Sequence, residues 1–103
     1  MGVSGALTED VVLNDQGITL NPNLHDYKIC TALDTPVVHT GIVESYQGDG
    51  PFGAKGLGEP ALGPTAPAIG NAVFDACGVR ITELPITPEK VLAALQKKGM
   101  AQG

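Results

Sequence analysis

The sequence predicts an α+β fold, a small and mostly antiparallel sheet with two or three helices packed on one face. Three observations predict it. Short β-branched runs recur at 11–13, 18–20, 37–43 and 79–84. Two strongly signalled helices follow residue 65. A stretch that is half glycine and proline separates the early runs from the helices. At 103 residues the chain suits a single domain, 1–103, with room for one modest core.

Taken in order, residues 3–8 have weak helical periodicity and read as the end of a helix, with no capping side chain before it. Val11-Val12-Leu13 and Ile18-Thr19-Leu20 flank Asn14-Asp15-Gln16-Gly17, a hairpin pattern. Asn21-Pro22-Asn23 breaks it, and residues 24–34 are irregular. Residues 36–45 carry Val37, Val38, Ile42 and Val43 and read as a strand bent near Gly41. Ten of the twenty residues from 48 to 67 are Gly or Pro, yet Phe52, Leu57 and Leu62 lie among them. A flexible linker would lack both the prolines and the apolar side chains, so this stretch reads as an ordered loop.

Thr65 is the expected cap of a helix over 67–77. Its apolar stripe is Ile69, Ala72, Val73, Ala76 and Cys77, and Gly78 is its C-cap. Residues 79–84 read as a short strand. Thr87-Pro88-Glu89 opens a second helix over 88–97, buried through Val91, Leu92 and Leu95 and stopped by Gly99.

Six basic against eleven acidic residues give a net charge of −5. That balance excludes a nucleic-acid binder, which needs a Lys/Arg face. No basic amphipathic helix and no apolar run of about 18 residues offers a membrane contact. Met1-Gly2-Val3 has no basic region, so no signal peptide is read. Cys30 and Cys77 are too few for an iron–sulfur cluster or a four-thiolate zinc site. They read as reduced thiols of a cytoplasmic protein. His25 and His39 form no His-Glu-x-x-His pattern, so no metal site is expected. Arg80 and Glu83 read as surface partners.

The chemistry concentrates in Gly53-Ala54-Lys55-Gly56-Leu57-Gly58-Glu59-Pro60. Gly56 and Gly58 flank Leu57, so a ligand meets backbone there without Cβ obstruction. Pro60 biases Glu59 toward an extended conformation. A carboxylate aimed by such a loop, once desolvated, serves as a general base. By residue type alone the solvated surface Glu is the prevailing reading. The spacing is neither a Walker A loop nor a full Gly-x-Gly-x-x-Gly. Lys55 suits a structural or solvated role better than an anion site.

Residues 50–60, Gly-Pro-Phe-Gly-Ala-Lys-Gly-Leu-Gly-Glu-Pro, closely resemble the active-site loop of the xanthine dehydrogenase/aldehyde oxidase family. So do residues 68–80 (Ala-Ile-Gly-Asn-Ala-Val-Phe-Asp-Ala-Cys-Gly-Val-Arg), 84–91, 6–10 and 20–28, in the same order. The resemblance implies the C-terminal segment of a large, molybdopterin-binding subunit. Such subunits hydroxylate aldehydes or nitrogen heterocycles with water as the oxygen source. It implies Glu59 as the general base that deprotonates the attacking hydroxyl. It also implies that Leu57, Gly58 and the adjoining Gly56 line the cofactor. Pterin-binding loops, iron–sulfur ligands and a flavin site are missing from the sequence. The implied partners are therefore the rest of the large subunit, with iron–sulfur and flavin subunits or domains.

The competing reading is an isolated, non-catalytic fragment that binds no cofactor by itself, motivated by the missing pocket and the abrupt helix start. A small module using the Gly-rich loop as an anion nest ranks below both. A fragment exposes faces that its parent covers, so self-association is expected.

Overall fold

The computed structural model describes residues 1–45 and 48–101. Three α-helices carry the architecture: α1 (Gly2–Leu7), α2 (Thr65–Cys77) and α3 (Pro88–Ala101). Short 3-10 turns lie at Pro51–Gly53 and Glu59–Ala61.

The expected α+β fold is not what forms. Among the described residues there is no sheet; the strand pairing reduces to one isolated antiparallel bridge between Leu13 and Thr19. The reason is local around the turn. Asn14 Oδ1 accepts the Gln16 and Ile18 amides, at 3.0 and 2.9 Å, and Gly17 takes the left-handed φ of 77° that closes the reversal. Beyond it, the Val12 amide donates to Asn21 Oδ1 (3.0 Å) and Asn21 Nδ2 donates to the Asp10 carbonyl (2.7 Å). An asparagine side chain thus satisfies backbone groups that a ladder would have used. Residues 36–45 form neither helix nor turn and pair with no strand among the described residues, and residues 79–84 serve as the connection between α2 and α3. β-Branched composition marks a segment that fits a pleated, half-buried surface; it does not supply the surface.

The helices follow their signals more closely. α1 packs on α2, where Gly2 lies so close that a Cβ would overlap the Thr65 side chain. Thr65 is the first residue of α2 rather than its cap; Pro64 takes that position, and the Thr65 hydroxyl donates to the Ala61 carbonyl at 3.3 Å. Gly78 ends α2 in the left-handed region (φ 67°, ψ 25°), its amide donating to the Phe74 carbonyl at 2.7 Å. Lys98 of α3 donates to the Cys77 and Gly78 carbonyls, both at 3.2 Å, so a cation covers the negative end of α2. At the start of α3, Thr87 Oγ1 accepts the Lys90 amide at 3.3 Å. The Glu89 carboxyl is held below its usual range, first by its own backbone amide and then by the Thr87 hydroxyl. Gly99 does not stop α3, which continues to Ala101. A mid-helix glycine costs about 1 kcal/mol and need not terminate a helix. Among the described residues Arg80 does not pair with Glu83: it donates to Asn71 Oδ1 (2.7 Å) and stacks 4.3 Å from the Phe74 ring centroid.

The core is small. Among the described residues Ala6, Val79, Pro85 and Ile86 are the buried apolar ones, and the Ile86 amide donates to the Ala6 carbonyl at 2.7 Å. The radius of gyration is 18.3 Å, against about 13 Å for a compact domain of this length. Val37, Val38, Ile42, Val43 and Leu57 are each at least 70% exposed.

A second cluster ties the chain after α1 back to it. Buried Ser4 accepts the Cys30 amide at 2.9 Å, Thr8 Oγ1 donates to the Lys28 carbonyl at 2.8 Å, and the Tyr27 hydroxyl donates to Glu9 Oε2 at 2.8 Å. The Ser4 hydroxyl, and after it the Tyr27 phenol, hold the Glu9 carboxyl below the usual carboxylate range. Glu9 in turn pushes the Tyr27 phenol up. A carboxyl lowered in the folded state stabilises above its unfolded pKa and loses that contribution as pH falls through the folded value. A raised phenol stabilises below its unfolded pKa, about 10, and loses the contribution above it. Tyr27→Phe is therefore expected to lower the urea midpoint at pH 7. The difference from the parent should shrink at the acid end and again above about pH 10, which urea titrations across pH will check.

Candidate functional site

The loop from Gly48 to Pro64 is exposed along almost all its length. Its first turn is tight: the Gly53 amide donates to the Gly50 carbonyl (2.9 Å) and the Ala54 amide to the Pro51 carbonyl (3.0 Å). A Cβ on Gly50 would overlap the Ala54 carbonyl. Phe52 holds a left-handed backbone (φ 55°, ψ 21°) with its side chain wholly in solvent. Such a conformation costs a bulky L-residue about 1–2 kcal/mol.

Glu59 opens the second 3-10 turn, with Pro60 behind it and Gly58 (φ −65°, ψ −66°) before it. The sequence expectation of an extended Glu59 is thus corrected. The Leu62 amide donates to the Glu59 carbonyl (2.9 Å) and the Thr65 amide to the Leu62 carbonyl (3.2 Å), so two linked turns carry Glu59 straight into α2. The carboxylate is exposed and this chain does not bury it.

Gly56 and Leu57 line an open hollow of about 690 Å³, together with residues 43–45, Gly53 and Lys55. Gly58 and Glu59 follow Leu57 in the chain and do not line the hollow. The loop therefore gathers two of the three expected cofactor-contacting residues on one wall, with the expected base immediately after them. A Cβ at Gly56 or Gly58 would meet no atom within 4 Å, and neither residue has a left-handed φ.

Sequence reasoning missed a second concavity. An apolar groove of about 520 Å³ runs along the helices, lined by Leu7, Val73, Ile86, Val91, Leu92 and Leu95. Its signal was the buried stripe of α3, which was assigned to a core; Leu92 and Leu95 instead remain 57% and 38% exposed.

Among the described residues no three His, Cys, Asp or Glu side chains come together to hold a metal ion. His25 and His39 are exposed. Both cysteines are free and half-buried, the Cys77 thiol donating to the Val73 carbonyl at 3.0 Å. No described helix is long and apolar enough to cross a membrane.

No family model matches the chain. It is 40% identical over 101 residues to the xanthine dehydrogenase molybdenum-binding subunit of Escherichia coli O157:H7, covering 97% of this chain and 13% of that protein. It is 35% identical over 104 residues to subunit gamma of the 6-hydroxypseudooxynicotine dehydrogenase complex of Paenarthrobacter nicotinovorans, covering 98% of this chain and 13% of the relative. Among solved structures, quinoline 2-oxidoreductase from Pseudomonas putida 86 superposes with a TM-score of 0.75 at 33% identity, over 93% of this chain and 13% of that one. The chain thus spans about an eighth of the length of the proteins it matches. It belongs to the molybdenum hydroxylases of the xanthine dehydrogenase/aldehyde oxidase family, and nearly its whole length corresponds to a part of their large subunit.

Proposed function

We propose that this chain supplies one wall of a molybdenum hydroxylase centre. Glu59 is the general base, and the backbone of Gly56, Leu57 and Gly58 lies against the molybdopterin cofactor. One observation carries the reading. Gly56 and Gly58 have ordinary φ values and open space where a Cβ would stand. Among the described residues neither φ nor crowding requires glycine there, so the backbone stays open to a group approaching from outside. What sets this stretch apart is that Gly56 and Leu57 also line the open hollow of the loop.

When bound, the cofactor supplies the two-electron redox chemistry of hydroxylation, with water as the oxygen source. The chain's part is to bind and to move a proton. The Gly56–Gly58 backbone admits the cofactor closely. Pro60 and the two turns leading into α2 fix the start of the Glu59 side chain. The carboxylate accepts the proton of the attacking hydroxyl at one Oε as the new C–O bond forms. The substrate class is an aldehyde or a nitrogen heterocycle. Substrate oxidation releases two electrons, so the working assembly includes the rest of a large subunit with iron–sulfur and flavin partners to carry them away. Cytoplasmic residence suits the two free thiols.

By itself the chain forms one wall only, and a cofactor pocket encloses most of its ligand. Metal analysis of the isolated chain is expected to give no stoichiometric molybdenum. The decisive experiment co-expresses the tagged chain with the remainder of a molybdenum hydroxylase large subunit. Co-purification with molybdenum and hydroxylase activity is expected. Gly58→Val should leave the isolated chain's thermal unfolding unchanged yet lower molybdenum retention in the complex. Full retention by that variant would reject the cofactor wall.

A further inference from the structure

We propose that two copies of this chain pair through residues 36–45, as antiparallel strands related by a two-fold axis at Thr40. The segment is free of helix, turn and bend, and among the described residues no backbone hydrogen bond engages it. Val37, Val38, Ile42 and Val43 are 83, 70, 89 and 92% exposed. An uncharged β-branched strand with a free edge is a template for another chain, and natural edges are usually blunted by lysine or by a bulge. Residues 36–45 contain no lysine or arginine, and Glu44 is their one carboxylate.

The choice of a second copy rests on the order of the side chains. Val37-Val38-His39-Thr40-Gly41-Ile42-Val43 is nearly palindromic about Thr40. In the symmetric register Val37 faces the partner's Val43 and Val38 faces the partner's Ile42, each pair formed twice. These are β-branched cross-strand pairs, one kind on each face of the ribbon. A slip of one residue in one direction sets Val38 against glycine, and in the other sets Val37 against Glu44. Pro36, which has no amide to donate, falls at the end of the ribbon opposite the partner's Glu44, so no two acids meet. A two-fold antiparallel pairing is isologous, as dimers of identical chains require.

The pairing lies between copies and does not depend on the role of Glu59. It does meet the proposed cofactor wall at one point, because Val43 also lines the hollow beside Gly56 and Leu57. A self-paired chain would therefore have to separate before a large subunit covers that edge.

The test uses the full chain. Sedimentation velocity from micromolar to several hundred micromolar should show a reversible monomer–dimer equilibrium. V38K/I42K puts lysine opposite lysine twice and should weaken association at least about tenfold. V38K/I42E puts lysine opposite glutamate in the symmetric register only, and should restore most of it. These side chains stand in solvent, so circular dichroism should report unchanged helix content in all three proteins. With Cys30 and Cys77 replaced by alanine, Thr40→Cys should cross-link rapidly on mild oxidation, whereas Leu33→Cys, also exposed but outside the paired segment, should not. A monomer at every concentration, open-ended polymers, a dimer indifferent to V38K/I42K, or failure of V38K/I42E to rescue would each overturn the proposal.

Discussion

Glu59→Gln is expected to lower the hydroxylation rate of the assembled enzyme by roughly two to four orders of magnitude, while molybdenum content and substrate KM change little. Glutamine keeps the shape and one oxygen acceptor of glutamate but cannot take up a proton under working conditions. Glu59 is exposed at the opening of its 3-10 turn, and its backbone carbonyl, not its side chain, holds that turn through the Leu62 amide. The substitution therefore leaves the local structure and the stability of the isolated chain intact. A loss confined to kcat identifies the proton acceptor. A parallel loss of molybdenum would mean that the carboxylate helps to hold the centre, and full activity would remove Glu59 from the chemistry.

Ile86→Ala carries the largest expected cost to the fold. Ile86 is 5% exposed, its Cδ1 reaches toward Gly70 of α2, and its amide is bonded to the last turn of α1. It is thus where α1, α2 and the approach to α3 meet. Truncating a buried isoleucine to alanine costs about 2–5 kcal/mol. Small domains hold only about 5 kcal/mol or somewhat more in total, and few apolar side chains are buried among the described residues. The substitution is expected to abolish the cooperative thermal transition of the isolated chain and to leave residual helix without tertiary protection from hydrogen exchange. A transition shifted by only a few degrees would show that Ile86 sits at the rim of the core.

The helices were legible because their signals are local. The Gly78 stop, the Thr87 cap and the apolar spacing of α2 each act within one or two turns of chain. The strands were not, since a strand is completed by a neighbour. Residues 37–43 have the right side chains but no strand partner among the described residues. The hairpin signal at 14–17 was answered by a real reversal, yet Asn21 took the backbone groups that would have lengthened it. At the loop, the glycines and Glu59 were readable from order and spacing. The extended conformation assigned to Glu59 was not, since Pro60 constrains φ of its own residue while the linked turns into α2 set the carbonyl geometry. Nothing in the residues around Phe52 announces its left-handed backbone.

Surface so little used has a thermal signature. The chain keeps 8499 Å² in contact with water, whereas a compact protein of its mass would keep about 5,400 Å². Unfolding it alone exposes correspondingly less new apolar area, so its heat-capacity increment falls below the roughly 1.2–1.5 kcal/mol/K usual for such a length. If another surface closes over residues 37–45 and 48–57, as proposed above, a calorimeter will register that burial as a negative heat capacity of association.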